Sequence, residues 1–340
     1  MAARLKDIAR DLDLSVVTIS KVLRDHPDIS RETRERVLKR MKELNYRPNL
    51  AARALVTGRS YIAGLVVPDL VHPFFGQVAK AISSVLRKKG YSLVLSSSED
   101  DPELEQQEID QLLARRVDVL IVASTQSTVD TFRKLEEQKL PYVLLDRRFD
   151  GLGANFVGVD DEAVGALATT HLVEAGCRRI AHLGGPNVST ALGRAAGFRL
   201  ALRASRLATP PEYVLMREHG DDAGEASGYD AMKRLLALKQ RPDGVFCYND
   251  PTAMGAMKAV LEAGLRVPED VAIAGCGNVA YADFLRVPLT SVDQQCEAIG
   301  ERTARMALGL LESGGPAKHK TVLLEPKLVV RASTMRRKRA

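Results

Sequence analysis

Four side chains near the amino terminus are of the types that read base edges in DNA. Val16, Val17, Ser20 and Lys21 share one face of a short helix that the sequence predicts, on the side away from its apolar residues. In a major groove, valine methyl groups contact thymine methyls, and a lysine donates to O6 or N7 of guanine. Val17 alone suits a small core equally well. Together with Lys21 and the basic charge around it, the pattern favours DNA reading.

Three short helices over residues 4–45 would position this face. Asp13 tolerates a left-handed turn after the first helix, and Ser15 and Ser30 are N-caps for the second and third. Apolar residues at helical spacing form the predicted core: Leu5, Ile8, Ala9, Leu12, Ile19, Val22, Leu23, Val37, Leu38, Met41 and Leu44. Two helices separated by a short turn and braced by a third make a helix-turn-helix.

The positive charge of the chain is concentrated at this end. The 340 residues include 49 Lys and Arg and 43 Asp and Glu, a net charge of +6. Residues 1–60 contain 14 basic and 8 acidic side chains, so the remaining 280 residues are neutral overall. A basic head on a neutral body indicates a polyanion partner for the head.

The composition changes over residues 46–60. Asn49 is a plausible N-cap for an Ala-rich helix that is shorter than the ~12 to 15 residues a lone helix needs in water. We therefore expect it to fold only when something holds it. Leu55 has no evident core to enter, whereas a wedge between base steps in the minor groove would use such a residue. The alternative is a solvated linker with incidental leucines.

From Tyr61 onward, apolar strands alternate with amphipathic helices, which is typical of parallel sheets covered on both faces. The predicted strands are 62–67, 92–95, 119–122, 142–145, 156–159, 180–183, 244–247 and 271–274, and the predicted helices include 103–115, 162–175, 191–206 and 251–263. These strands are too many for one sheet. The predicted fold is α/β, with a helix-turn-helix head and hinge helix followed by a bilobed body of two parallel doubly wound sheets, like that of periplasmic binding proteins.

Polar side chains follow the predicted strands, where the ends of parallel strands form a ligand cleft. This set consists of Asp146, Asp160, Asn249, Asp250 and Asn278, with Arg194 at a helix start and Phe74 and Phe75 as an apolar wall. Carboxylates, amides and an arginine beside an aromatic wall suit a small polyol or another polar metabolite. Any one of these residues alone is equally a helix cap or a turn residue.

Enzyme motifs have little support. Gly275-x-Gly277-x-x-Ala280 resembles a dinucleotide fingerprint, but Pro288 interrupts the helix and strand that should follow. There is no Walker lysine motif, HExxH or GxSxG, and the six histidines and four cysteines show no metal-ligand or CxxC spacing. The sequence therefore predicts no enzyme, cofactor or metal. Hydrolysis by separated carboxylates stays open, as does a receptor that only binds solute.

The sequence also predicts where the protein works. No stretch approaches the ~18 apolar residues needed to span a membrane, and Arg4, Lys6 and Asp7 stand where an export signal has an apolar run. We expect a cytoplasmic protein.

These motifs, in this order, resemble the LacI/GalR family of bacterial transcription regulators. The resemblance covers essentially the whole chain. It rests on residues 5–9, 14–23, 33–37, 44–49 and 52–55 in the head and hinge, and on residues 73–75, 194–198, 249–255 and 328–334 in the body. Two positions depart from the family pattern. Asp13 stands where the family commonly has a turn glycine, and Gly277 stands where many members have an aspartate that binds effector.

The resemblance implies a homodimer that places two recognition helices in successive major grooves of a near-palindromic operator and responds to a metabolite, most simply a sugar or sugar derivative. We expect it to act as a repressor. Val16, Val17 and Lys21 match the family's base-reading positions, and Leu55 matches its hinge leucine that wedges into the minor groove. The full set of expected DNA-binding residues is Ser15, Val16, Val17, Thr18, Ser20, Lys21, Asn49, Ala52, Arg53 and Leu55. The resemblance implies effector contacts at Phe74, Asp146, Asp160, Arg194, Asn249 and Gln294. With Phe75, Asp250 and Asn278 from the strand ends and the apolar wall, these form the expected effector-binding set.

The expected domain boundaries follow from the same resemblance. Residues 1–46 would form the DNA-binding domain, 47–60 the hinge, and 61–340 the effector-binding and dimerisation domain. Within this last domain we expect one lobe from about 61–161 and 292–322 and a second from about 162–291 and 323–340.

Overall fold

The computed structural model describes residues 4–23, 26–46, 54, 58–149, 151–217, 224–313 and 319–336. The chain divides into two compact units, Met1–Ser60 and Tyr61–Ala340. We refer to them as the head and the body.

The head contains the three predicted helices, α1 (Leu5–Leu12), α2 (Val16–Leu23) and α3 (Arg31–Glu43). Asp13 ends α1 in the left-handed conformation, with φ 54°, as the sequence predicted. Ser15 caps α2 by accepting from the Thr18 N–H at 3.0 Å. Ser30 caps α3 by accepting from the Thr33 N–H at 3.2 Å. These two caps satisfy backbone donors that a helix start leaves without partners.

A small apolar core joins the three helices. Its buried members are Ile8, Ala9, Ile19, Val22, Val37 and Met41. The prediction that Leu38 is buried is wrong, because 51% of its surface is exposed. Leu38 follows Val37 by one residue, about 100° around the helix, and Val37 and Met41 occupy the inward face. Arg40 on α3 also ties the helices together, since its Nη2 lies 2.6 Å from Asp11 Oδ2 on α1.

The strands of the body are β1 (Ile62–Val67), β2 (Ser92–Ser97), β3 (Val119–Val122), β4 (Tyr142–Leu145), β5 (Phe156–Val159), β6 (Ile180–Leu183), β7 (Val214–Leu215), β8 (Gly244–Cys247), β9 (Ala272–Cys276), β10 (Thr290–Asp293), β11 (Thr321–Leu324) and β12 (Lys327–Val329). The helices are α4 (Pro73–Lys88), α5 (Pro102–Ala114), α6 (Asp130–Glu137), α7 (Asp161–Glu174), α8 (Ser189–Ala204), α9 (Glu225–Leu236), α10 (Asp250–Glu262) and α11 (Cys296–Ser313).

These strands form two six-stranded sheets, which confirms the predicted fold class. The first sheet has the order β11-β5-β4-β3-β1-β2, and the second has the order β12-β10-β9-β8-β6-β7. Neighbouring strands are parallel except for the β10–β12 pair, which is antiparallel. Central strands such as β3 and β8 are buried along their whole length, because helices cover both faces of each sheet.

The chain crosses between the two sheets three times. It passes from β5 to α7 beside the second sheet, from β10 to α11 beside the first, and from β11 to β12. Because residues 159–161, 293–296 and 324–327 make these crossings, the carboxyl ends of several strands lie around one cleft. We call the part of the body built on the first sheet lobe 1 and the part built on the second sheet lobe 2.

Candidate functional site

The predicted base-reading face is present on α2. Val16 and Val17 are 38% and 62% exposed, whereas Ile19 and Val22 on the opposite face are buried. Ser15 is exposed, and Thr18, Ser20 and Lys21 are partly exposed. Exposed valines on the first turn of a capped helix give it an apolar surface with no partner in the head core, which suits contact with thymine methyl groups.

Lys21 has a protein partner in this structure. Its Nζ pairs with Asp28, whose other carboxylate oxygen contacts His26 Nδ1. Hydrogen bonds from Lys21, and to a smaller extent from His26, lower the pKa of Asp28. All three side chains are substantially exposed, so the pair is weak and can exchange for another acceptor.

Four of the predicted DNA-binding residues, Asn49, Ala52, Arg53 and Leu55, lie outside the residues that the structure describes. Within the predicted hinge helix, Ala54 is helical, and its carbonyl accepts from the Gly58 N–H at 2.8 Å.

In the body, six predicted effector residues surround one cavity of about 40 Å³. They are Phe74, Phe75, Asp146, Arg194, Asn249 and Gln294. Phe74 and Phe75, at the start of α4, pack edge to face with ring centroids 5.1 Å apart. Asn249 caps α10 and lies at the end of β8 in lobe 2. The cavity therefore has walls from both lobes.

Three other predicted effector residues do not line this cavity. Asp160 caps α7 and lines a neighbouring cavity of about 280 Å³. Asp250 is buried and accepts from the Val279 N–H at 2.9 Å. Asn278 accepts from Arg331 Nη2 at 2.8 Å. Asp146 lines both cavities.

Two glycines place Arg194 at the cavity by bringing α7 and α8 into backbone contact. A Cβ added to Gly165 on α7 would lie 2.0 Å from the Arg194 carbonyl oxygen, and one added to Gly197 would lie 1.9 Å from the Glu162 carbonyl oxygen. Because the helices approach so closely, Arg194 Nε reaches Asp161 Oδ1 at 2.9 Å, and Nη1 donates to the Tyr248 carbonyl at 2.7 Å.

Sequence reasoning missed several residues of the cavity, above all His72, Asp100, Arg147, Arg217 and Tyr248. Arg147 follows Asp146 directly at a strand end, a position that could have been noticed. His72 precedes the phenylalanine pair and caps α4 by accepting from the Phe74 N–H at 3.3 Å. Tyr248 directly precedes Asn249 at the end of β8 and offered the same signal. Asp100 and Arg217 carry no comparable signal, because loops from distant parts of the chain bring them in.

His72 also links the two lobes across the cleft, since its Nε2 lies 3.0 Å from Asn249 Nδ2. Burial, and then the positive charges of Arg194, Arg147 and Arg217, lower the pKa of His72 to about 4. The ring is therefore neutral at physiological pH.

Burial raises the pKa of two carboxyl groups that interact with Arg194. It raises the pKa of Asp146, although Arg194 and Arg147 oppose the shift. It raises the pKa of Asp161 to about 7, although Arg194 is hydrogen-bonded to this carboxylate. Protonation of these groups thus responds to any charge that enters the cleft.

The residues that the structure describes contain no cluster of three or more His, Cys, Asp or Glu side chains placed to hold a metal ion. Among the described helices, none is long and apolar enough to span a membrane.

A helix-turn-helix head on a two-lobed α/β body with a polar cleft defines a DNA-binding regulator that responds to a small molecule. Residues 4–49 match the model for bacterial regulatory proteins of the lacI family, and residues 169–334 match the periplasmic binding protein-like domain.

Curated relatives agree over nearly the full length. The chain is 32% identical over 338 residues to the HTH-type transcriptional repressor PurR of Haemophilus influenzae (strain PittEE), covering 97% of this chain and 98% of that protein. It is 32% identical over 336 residues to PurR of Klebsiella pneumoniae (strain 342), covering 97% and 96%.

Solved structures have the same architecture. The lac repressor dimer bound to operator and the anti-inducer ONPF superposes with a TM-score of 0.86 at 28% identity, covering 99% of this chain and 100% of that one. The complex of the transcriptional regulator CelR with cellobiose superposes with a TM-score of 0.72 at 27% identity, covering 97% and 99%. The chain belongs to the lacI family of bacterial regulatory proteins.

Proposed function

We propose that this protein is a transcriptional repressor that binds a near-palindromic operator as a homodimer and whose operator affinity is set by a small polar metabolite in the cleft between its lobes. The exposed valine pair on the capped helix α2 is the observation that carries this proposal. An operator-bound dimer among the structural neighbours supports the dimeric form.

In this proposal Val16, Val17 and Lys21 read bases, and Ser15, Thr18 and Ser20 support or contact the backbone of the DNA. Lys21 would exchange Asp28 for a base or a phosphate, because an exposed ion pair is easily replaced. Asn49, Ala52, Arg53 and Leu55 would contact the minor groove as the hinge folds on DNA. The hinge couples the two sites if the effector favours one arrangement of the lobes, and the coupling must then be reciprocal.

The effector would occupy the cavity lined by Phe74, Arg194, Asn249 and Gln294. Asp160 would contact it from the neighbouring cavity, whereas Asp250 and Asn278 would support the walls through the hydrogen bonds described above. The relatives are repressors, and we propose that this chain has no enzymatic activity and works in the bacterial cytoplasm at the nucleoid.

The test begins with selection of duplexes from a random pool by the purified full-length protein. We expect a near-palindromic consensus bound by a dimer, with affinity at least ~10³-fold above scrambled DNA at physiological salt. Fluorescence anisotropy gives the affinities, and analytical ultracentrifugation gives the stoichiometry. Selection that yields no consensus would overturn the proposal.

A pair of matched variants tests the role of α2. Val17→Ala should lower operator affinity and relax the preference at one position. Leu38→Ala truncates another half-exposed apolar side chain in the same head and should leave the preference unchanged. Equal effects of the two changes would remove Val17 from the reading face.

A further inference from the structure

Three arginines meet at the cleft cavity. Arg147 comes from the end of β4 in lobe 1, Arg194 from α8 in lobe 2, and Arg217 from the segment after β7. Arg147 and Arg194 are 7% and 3% exposed, whereas Arg217 is half-buried. Burying cations together is costly unless acceptors surround them, so the acceptors at this cavity decide what it can bind.

The protein supplies only some of these acceptors. Arg147 Nη1 donates to Asp100 Oδ1 at 2.9 Å, and Arg194 uses Asp161 and the Tyr248 carbonyl. Arg147 Nε is buried without a hydrogen-bond partner among the described residues, and so is Gln294 Nε2. Both side chains line the cavity, and each of these nitrogens is a donor. A buried donor without an acceptor is destabilising, and an oxygen of a ligand would restore the missing hydrogen bond.

The arginines also change the pKa of titratable groups at the cavity. The three arginines together lower the pKa of His72, and their effect on it exceeds the opposing effect of Asp100. Arg147 and Arg194 also act to lower the pKa of Asp146, against the effect of its burial. At His72 the positive charges of the arginines therefore outweigh the negative charge of Asp100, although three carboxylates, Asp69, Asp100 and Asp146, also line the cavity.

The two cavities differ in size and in lining. The arginine-lined cavity of about 40 Å³ has room for a compact group, since one water needs ~10 to 15 Å³. The neighbouring cavity of about 280 Å³ is lined mainly by carboxylates, among them Asp160 and Asp161, with one arginine, Arg148, and with Ser189. Carboxylates and a hydroxyl suit the hydroxyl groups of a polyol.

We infer that the effector is a polyhydroxylated organic anion, of the class of sugar acids and sugar phosphates. Its carboxylate or phosphate accepts hydrogen bonds from Arg147 Nε and Gln294 Nε2 beside Arg194 and Arg217, and its hydroxyl groups face Asp160, Asp161 and Ser189. This assignment rests on the proposed function, because it names the ligand of the same cleft.

The test uses matched compounds on the full-length protein. For each of several hexoses, the neutral sugar, its aldonic acid, its uronic acid and its 6-phosphate are compared by thermal shift and then by isothermal titration calorimetry. Inorganic phosphate and adenine complete the set. We expect binding by an acid or a 6-phosphate, at least 10-fold tighter than by its neutral sugar and weakened by added KCl. The acid and phosphate arms distinguish the two anion sources.

Two outcomes would overturn the inference: a neutral sugar or adenine that binds as tightly as every anion, or no response to any anion in the set. Selection of an operator does not depend on either result. A consensus operator together with a neutral effector would leave the proposed function standing and sink only the anionic assignment. If an anion binds but no consensus operator is selected, the anionic assignment stands and the proposed function is rejected.

Variants of Arg217 test the site at its most accessible arginine. Arg217→Gln removes one positive charge beside the bound group, so it should weaken the best anion about 10-fold and should change neutral-sugar affinity much less. Arg217→Lys keeps the charge and should recover part of the loss. Arg203→Gln removes an exposed arginine on α8 and should change nothing. The melting temperature without ligand shows whether each variant is folded. Unchanged anion affinity in a folded Arg217→Gln would contradict the assignment.

Discussion

The two functional regions of this molecule are built in opposite ways. The reading face of the head consists of neighbours in sequence, Val16, Val17, Ser20 and Lys21, exposed on one capped helix. The cleft collects buried charges from positions as far apart as Asp100, Arg194 and Gln294. A surface made by one helix survives local changes elsewhere, whereas a buried charge cluster depends on every element that holds it. Variants in the cleft should therefore affect stability and ligand response together, and variants on α2 should affect DNA binding alone.

The largest effect is expected from Arg194→Met. It leaves Asp161 buried beside an apolar side chain, and breaking a buried ion pair costs about 3 to 5 kcal/mol. Urea unfolding should show this loss, and the effect of ligand on DNA binding should disappear. Adding Asp161→Asn should restore most of the stability without restoring the ligand response. If Arg194→Met alone is as stable as the wild type, the ion pair between Arg194 and Asp161 does not stabilise the body.

The next largest effect is expected from acid, which should destabilise the body through His182. His182 is fully buried between Phe198 and Phe246, and burial lowers its pKa to about 4. Because the unfolded chain binds the proton from about pH 6.5 downward and the folded chain does not, His182 stabilises the body above pH 6.5 and loses this contribution towards pH 4.

The corresponding variant is His182→Phe. Between pH 6.5 and 4, the free energy of unfolding of the variant should fall by about 3 kcal/mol less than that of the wild type. Urea unfolding at each pH measures this difference. Hydrogen exchange by region should show that the difference is confined to the body. Identical pH profiles for the two proteins would mean that His182 is protonated in the folded state.

Gly197→Ala should lower the free energy of unfolding by about 2 to 3 kcal/mol, the upper part of the range for overpacking. The new Cβ would lie 1.9 Å from the Glu162 carbonyl oxygen, so α7 and α8 must separate and move Arg194. Gly309→Ala on α11 is the control, because nothing lies within 4 Å of an added Cβ there. It should stabilise the protein slightly. Equal melting temperatures for the two variants would refute the close-contact argument.

Lys21→Ala should cost about 1 to 3 kcal/mol of operator affinity and relax the preference at one base pair. Stability of the body should not change. Lys39→Ala removes an exposed lysine from α3 and should weaken all duplexes about equally. If Lys21→Ala ranks operator variants as the wild type does, Lys21 contacts phosphate or nothing.

The smallest expected effect is that of Ser15→Ala. It removes the cap at the Thr18 N–H and should cost the head about 1 kcal/mol, with a modest loss of operator affinity as the first turn of α2 frays. Ser30→Ala removes the equivalent cap of α3 and should destabilise the head similarly with less effect on affinity. Fluorescence anisotropy measures both losses of operator affinity. A larger loss for Ser15→Ala than for Ser30→Ala would place the reading surface on α2, and equal losses would contradict that placement.

Much of the fold could be predicted from local pattern. The eight predicted strands and the predicted helices of the head core and the body appear within a few residues of their expected ends, because buried apolar runs and capped amphipathic stretches carry strong local signals. The predicted hinge helix lies almost wholly outside the described residues. The strands that were missed, β7, β10, β11 and β12, are only two to four residues long, and β10 includes Thr290, Ser291 and Asp293. Pairing with a neighbouring strand decides such segments, and composition does not.

The sequence by itself determined the family, the head with its capped reading helix and the polar strand ends, because each of these depends on residues close together in the chain. Only the tertiary structure decided which polar groups share a cavity. It placed Arg147, His72 and Arg217 beside Arg194, and left Asp250 and Asn278 bonded within the walls. Which carboxylate faces a ligand and which holds a loop depends on distances between distant segments, and no local pattern encodes those distances.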